Sequence, residues 1–365
     1  MACLVAGAFV APASAHKDRG GEQVEDQNRA EAPACRVLPG LYFVDAHSQM
    51  DQAVDEERVL SLMDHGGVYR TLLSNHLERP PESLRAFAKR EPGRIVPMLR
   101  AKGDLGGPRM FAKWQAKREA ELASGAYRGI AEMLIWHQGV PQHGIKEIRF
   151  AIGDDYVRSA LDIAKKHGWP FIAHIEFDSL SGAARKRYMR DLEAMVSDNP
   201  ATPVVMIHMG QLPHAEVERL ITAHPNIYFL ASHSNPIIIK MDHIKHWQNL
   251  FQGRRIAAKW LPVIEAHPDR FIFALDNVFA PMWTTPVYLA QMALWWCALS
   301  PLPPRVAQAI AHGNAERLWK LAPKPDAFVA LDPWKASVKL GPVTGKSRPV
   351  KINGLKAMGG GRGVH

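Results

Sequence analysis

The sequence predicts an α/β fold, a TIM-type (β/α)8 barrel with extensions at both ends, and three observations predict it. Eight short apolar runs alternate with segments of helical periodicity, the pattern expected of parallel strands buried on both faces. Two of those runs, Trp169-Pro-Phe-Ile-Ala-His174 and Pro203-Val-Val-Met-Ile-His208-Met-Gly210, each carry a histidine at or near their end. The chain has 365 residues, enough for a barrel of roughly 250 residues and its extensions.

The elements follow in order. Strand one is Leu41 to His47, with a helix from about Gln52 to Asp64 burying Val59, Leu62 and Met63; Gly66-Gly67 stops it. Strand two is Val68 to Ser74, and its helix opens near Pro81, buries Leu84, Phe87 and Ala88, and ends at Glu91-Pro92-Gly93. Strand three is Arg94 to Arg100, although Pro97 is awkward inside a central strand. Phe111, Trp114, Arg118 and Leu122 recur at helical spacing and lead to strand four, Gly129 to Ile135. A helix from Asp154 to His167 leads to strand five and His174, and one around Tyr188, Leu192, Met195 and Val196 leads to strand six and His208. A shorter helix with Val217, Leu220 and Ile221 precedes strand seven, Asn226 to Ser232. After an excursion through Trp247 and Phe251, a helix from about Ile256 to Glu265 leads to strand eight, Arg270 to Asp276. Helices over Pro286–Leu299 and Pro304–Leu321 close the body, and the Trp295-Trp296 pair reads as packing within the first of them.

Four regions result: 1–15, an apolar segment ending on Ala13-Ser14-Ala15 that reads as a signal peptide without the usual Lys/Arg start; 16–35, a polar linker; 36–322, the barrel; and 323–365, a Gly/Pro-rich basic tail. Export to the periplasm or medium is expected, with a cytoplasmic location if the leader is not one. Of three cysteines, Cys35 and Cys297 remain after such cleavage; they form no disulfide framework, although one bridge is open to them in an oxidising compartment. The net charge is +9. From Lys324 onward eight cations face only Asp326 and Asp332, so most of that charge sits in the tail. Without interleaved aromatics the tail gives no nucleic-acid signature, and no later run is long enough to span a membrane. A small-molecule substrate is expected; self-association is left open.

Right-handed crossovers put every strand end on one face of such a barrel, so His47, Glu132, His174, His208 and Asp276 are expected to converge. Imidazoles and carboxylates in a cleft suit a divalent metal such as zinc, which brings the pKa of water to about 7 and polarises a carbonyl. Asp276 is then placed to hold or deprotonate that water, and His208 to ligate, polarise or shuttle a proton. Taken singly, each histidine is an ordinary strand residue, Glu132 an ordinary ion-pair partner, and Asp276-Asn277 an ordinary turn; their shared placement singles them out. Glu176, two residues past His174, is placed to support the site or to form a salt bridge, and Arg100 to hold a substrate carboxylate. Trp136, His137, Ser232 and His233 are candidate pocket lining.

Asp45-Ala-His47, His174-Ile-Glu176, Ile207-His208-Met-Gly210, Phe273-Ala-Leu-Asp276 and Gly313-Asn314-Ala315, in that order, resemble the amidohydrolase superfamily, in particular its branch of metal-dependent hydrolases and nonoxidative decarboxylases. The resemblance spans roughly Val37 to Leu321. It implies a metal held by His47, His174 and Asp276, with His208 nearby and Glu132 at a bridging or ligating position. The family's usual His-x-His on strand one is His47-Ser48-Gln49 here. An amide oxygen is the weaker zinc ligand, so lower affinity, another metal, compensation by Glu132 or loss of activity are the expected consequences. The leading expectation is a metal-dependent hydrolase of a C–N or C–O bond in a small carbonyl compound, acting through metal-activated water. The alternatives are a nonoxidative decarboxylase of a small carboxylic acid and a non-catalytic exported ligand-binding barrel.

Overall fold

The computed structural model describes residues 35, 38–76, 78–102, 108–139, 147–241 and 247–328; the expected leader at 1–15, almost all of the linker and the tail from 329 lie outside them. Eight parallel strands carry the architecture: β1 (Phe43–Met50), β2 (Val68–Asn75), β3 (Ile95–Pro97), β4 (Met133–His137), β5 (Phe171–Ile175), β6 (Val204–Met206), β7 (Ile227–Leu230) and β8 (Phe271–Ile272). Regular pairing runs β1 to β3 in one sheet and β4 to β8 in another.

Individual backbone hydrogen bonds cross both seams. Leu99 bridges Ile130, with Leu99 N donating to Gly129 O at 2.8 Å and Ala131 N to Leu99 O at 2.7 Å. At the other seam Ala46 N donates to Phe273 O (3.2 Å), Asp276 N to His47 O (2.8 Å) and Gln49 N to Asn277 O (2.7 Å). The eight strands thus follow the barrel order, but the ladder is not closed: only isolated hydrogen bonds link β3 to β4 and β8 to β1. One apolar cluster takes side chains from all round it, among them Val44, Leu72, Val96, Ala131, Ile172, Val205, Leu230 and Ile272, and Ala315, Leu318 and Trp319 plug its lower end. A second, larger cluster fills the space between strands and helices, the two-layer arrangement a barrel requires.

The helices begin and end where local chemistry dictates. In α1 (Glu56–Gly66) the Asp55 side chain accepts from Arg58 N at 2.9 Å, and Gly67 ends the helix at φ 75°, a conformation that costs other residues about 1–2 kcal/mol. The helices α2 (Pro81–Arg90), α3 (Pro108–Leu122), α4 (Asp155–His167), α5 (Gly182–Asp198) and α6 (His214–Ala223) follow β2 to β6 in turn. Beyond β7 come α7 (Pro236–Met241) and α8 (Leu261–Ala266), and beyond β8 comes α9 (Thr285–Leu299), with Trp295 and Trp296 in the core. A disulfide joins Cys35 to Cys297 of α9.

Several boundaries differ from expectation. The strand expected over 129–135 is the single bridge at Ile130 followed by β4 from Met133, so Glu132 precedes the regular strand and does not stand at its end. The run expected to continue to Gly210 stops at Met206, and strand eight, expected to reach Asp276, keeps ladder geometry only over Phe271–Ile272. The helix expected from Ile256 begins at Leu261, because Phe251–Gln252 and Arg255–Ile256 form a hairpin turning at Gly253, φ 57°. The final helix is broken by a π turn at Ala309–Gly313.

Candidate functional site

Because all eight strands run the same way, their C-terminal ends share one face, and the polar residues of the interior gather there. The β1–β8 seam is held by a buried carboxylate: Asp45 accepts from Ser48 Oγ (2.6 Å), Leu275 N (2.9 Å) and His47 N (3.3 Å). Burial pushes the Asp45 carboxyl up to about 7, against the pull of those donors. Ser48 Oγ in turn accepts from Asn277 N at 3.1 Å, and Gln49 O from Trp283 Nε1 at 2.9 Å. These bonds fix β1 against the loop after β8 and so set His47 and Gln49 opposite Asp276.

The centre of the cluster is small. His47 Nε2 lies 3.4 Å from Asp276 Oδ1 and 3.9 Å from Glu132 Oε1. The Gln49 amide nitrogen donates to Glu132 Oε1 (3.0 Å) and Asp276 Oδ1 (3.2 Å) together. Lys102 also pairs with Glu132 Oε1. On one side His174 Nδ1 meets Glu132 Oε2 at 2.7 Å and its Nε2 meets Glu176 Oε1 at 3.1 Å, with His137 next to both. On the other side His208 Nε2 lies 3.5 Å from Asp276 Oδ2, and His208 stacks on His233 with ring centroids 4.6 Å apart. Trp247 stacks over His208 at 5.2 Å.

The backbone is strained at this point. Six non-glycine residues among those described have positive φ, and three of them, His208 (53°), His233 (54°) and Asp276 (50°), belong to this cluster. Conformations of that kind cost about 1–3 kcal/mol each and persist where the surroundings over-determine them, most often at functional sites. They turn the side chains inward just where the strands run out.

Protonation follows from the partners. Burial opposes charge on His174, but the Glu132 and Glu176 carboxylates outweigh it and raise the imidazole to about 9. Burial also works against ionised Glu132, yet Lys102, His174 and His47 hold its carboxyl well below the usual range. His208 is driven the other way, well below the ordinary imidazole value, by burial and then by His233 and His174. His208 Nδ1 lies 3.2 Å from the carbonyl oxygen and 3.1 Å from the hydroxyl of Ser232; the tautomer that donates from Nδ1 to that carbonyl turns the lone pair of Nε2 toward Asp276.

Three sets of ligand atoms close enough to share an ion occur among the described residues: His47, Glu132 and Asp276; His208, His233 and Asp276; and His137, His174 and Glu176. The expected four-residue set of His47, Glu132, His174 and Asp276 is thus not one group. His174 is joined to it through Glu132, because β5 carries its ring to the far side of that carboxylate. His47 Nε2 is buried with no hydrogen-bond partner while facing two carboxylate oxygens, the environment of a nitrogen that awaits a cation. Those residues fit a divalent metal.

Arg100 is half-buried, and its charge, after burial and Lys102, pushes the His76 imidazole down to about 2. Lys102 and Trp247 were not among the expected site residues. Lys102 stands two residues beyond Arg100, a strand-like spacing that would have placed both on one side; Trp247 gives no such signal. A separate cavity of about 460 Å³ between α1 and α2 is lined by none of the converging residues, and its Arg79 and Arg90 already pair with Glu56.

A family model described as Amidohydrolase matches residues 116–321, more than half of the chain. Solved structures similar to it include an uncharacterised TIM-barrel protein from Bordetella bronchiseptica (16% identity, TM-score 0.47, covering 72% of this chain and 82% of that one). A dihydroorotase from Campylobacter jejuni (15%, 0.46, 78% and 84%) and an amidohydrolase from Burkholderia multivorans (16%, 0.45, 77% and 100%) are also similar. No curated protein matches the chain.

Proposed function

The chain belongs to the amidohydrolase family, and from that premise we propose that it is a metal-dependent hydrolase acting on a C–N or C–O bond of a small carbonyl compound through metal-activated water. The observation that carries this reading is the convergence of His47 Nε2, Glu132 Oε1 and Asp276 Oδ1, with that nitrogen buried and without a hydrogen-bond partner. These three would hold a divalent transition metal, zinc by the sequence-based expectation. When bound, such an ion brings the pKa of water to about 7 and polarises a carbonyl.

The protein's own groups supply the rest. Asp276 Oδ2 and the lone pair on His208 Nε2, 3.5 Å apart, are placed to take a proton from water on one side of the cluster and pass it to a leaving group. Because its pKa is depressed, His208 holds such a proton only weakly and gives it up readily. The Glu132–His174–Glu176 chain holds the opposite side rigid and charged, and Trp247 shields one face of the imidazoles from solvent. The Cys35–Cys297 disulfide supports a protein working in an oxidising compartment. No helix among the described residues is long and apolar enough to cross a membrane.

Metal analysis of the purified protein, with assays on ester, lactone and amide panels beside carboxylic acids, tests the reading. The wild type should carry a divalent ion and hydrolyse members of the panel, His47→Ala should lose the ion, and Asp276→Asn should lose about 100-fold or more in kcat. Stoichiometric metal retained by His47→Ala, or carbon dioxide release without water consumption, would sink it.

A further inference from the structure

We propose that Gln49 is itself a ligand of the cation, through its side-chain oxygen, and that it moves the selectivity of the centre from zinc toward manganese relative to an imidazole at that position. The proposal rests on the reading of the cluster as a metal centre and goes on to the composition of its shell. The Gln49 amide end lies 3.0 Å from Glu132 Oε1 and 3.2 Å from Asp276 Oδ1, and His47 Nε2 lies 3.4 and 3.9 Å from Asp276 Oδ1 and Glu132 Oε1. Two ligands each about 2.1 Å from one ion, at tetrahedral or octahedral angles, are roughly 3.0–3.4 Å apart. The amide end therefore stands at ligand-to-ligand distance from both carboxylate oxygens, as His47 Nε2 does from Asp276 Oδ1, while the 3.9 Å from His47 Nε2 to Glu132 Oε1 is wider.

Hydrogen bonding alone turns Nε2 to those oxygens, where it donates to both carboxylates, and leaves Gln49 Oε1 buried without a partner. A buried acceptor of that kind calls for a partner. The two amide orientations differ by a half-turn about a terminal torsion that is broad and soft, and nitrogen and oxygen exchange places with little movement of the chain. With a cation among the oxygens, an amide NH2 aimed at it is repelled, whereas the half-turn offers Oε1 to the ion and gives that buried acceptor a partner. The shell then comprises one imidazole nitrogen and three oxygens. Oxygen-rich sets suit manganese or magnesium, and added imidazole favours zinc.

Isothermal titration of the full chain with Zn2+ and with Mn2+, and electron paramagnetic resonance of bound Mn2+, would test this on wild type, Gln49→Leu and Gln49→His. Gln49→Leu should weaken Mn2+ binding by about tenfold or more and alter the Mn2+ spectrum. Gln49→His should raise the ratio of zinc to manganese affinity by about tenfold or more. Unchanged or tighter Mn2+ binding in Gln49→Leu would mean that the amide only competes for the carboxylates, which overturns the proposal. If Gln49→Leu does not fold, the Gln49→His ratio decides alone, and a ratio equal to wild type overturns it. A wild type that takes up neither ion removes the metal reading itself, whereas uptake by wild type with both variants unchanged removes only the role of Gln49.

Discussion

Glu316 shows what a single half-buried carboxylate does away from the barrel mouth. It accepts from Tyr42 at 2.5 Å and lies 3.0 Å from His312 Nδ1, tying the chain just before β1 to the closing helices. Burial pushes its carboxyl up, but His312 and then Tyr42 outweigh that and hold it below the usual value. The folded pKa lies below the unfolded one, so this stabilisation is fully present above the ordinary glutamate value and is lost as pH falls through the lowered one. Glu316→Gln should cost about 1 kcal/mol at pH 7, and the gap in Tm between variant and wild type should close as pH falls from about 5 toward 3; a gap constant with pH would refute the assignment. At this scale His47, His174, His208 and Asp276 were legible because each ends an apolar run. Lys102 was within reach only through its spacing from Arg100, and Trp247 not at all, since only the folded chain reveals what a residue far beyond a strand comes to face.

Element by element, the sequence shows where strands begin better than how they stop. Ile207-His208-Met209 continues the apolar reading of β6, yet His208, Met209, Gly210 and Gln211 all turn left-handed, and three of the four are not glycine. Tertiary contacts impose that turn, so no local propensity announces it. Gln211 pays twice, with φ 52° and a buried amide whose nitrogen and oxygen both lack hydrogen-bond partners. Gln211→Gly should therefore raise the unfolding free energy by about 1 kcal/mol, relief of strain and of the orphaned amide exceeding the entropy cost of glycine. Denaturant unfolding monitored by circular dichroism measures it, and a variant less stable than wild type would show that the turn is not strained. The same limit explains the hairpin at Phe251–Ile256, which reads in the sequence as an excursion and whose second strand takes Ile256, the residue at which a helix is expected to begin.

For the whole molecule, the barrel class was readable from eight alternating runs, because a parallel sheet with helices on its outer face has few other ways to bury its inner one; that the ladder breaks into two sheets was not. The covalent closure was not, since two cysteines 262 residues apart carry no spacing signal. That bond joins the approach to β1 to α9, which also packs on α1 through Trp296 Nε1 donating to Gly66 O at 3.0 Å. The first and last layers of the ring are thus tied at one place by both a bond and a core contact. Removing a cross-link over so long a loop frees the unfolded chain by about 5 kcal/mol in the chain-entropy account. In a domain of this size that corresponds to a fall in Tm of roughly 10 °C. Scanning calorimetry with and without dithiothreitol should show such a fall for the wild type, while Cys35→Ser should start at the lower Tm and not respond to reductant. Equal melting of reduced and oxidised wild type, with both thiols shown free by mass spectrometry in the reduced sample, would mean that the β1–β8 seam and the packing of α9 on α1 close the barrel without help from the disulfide.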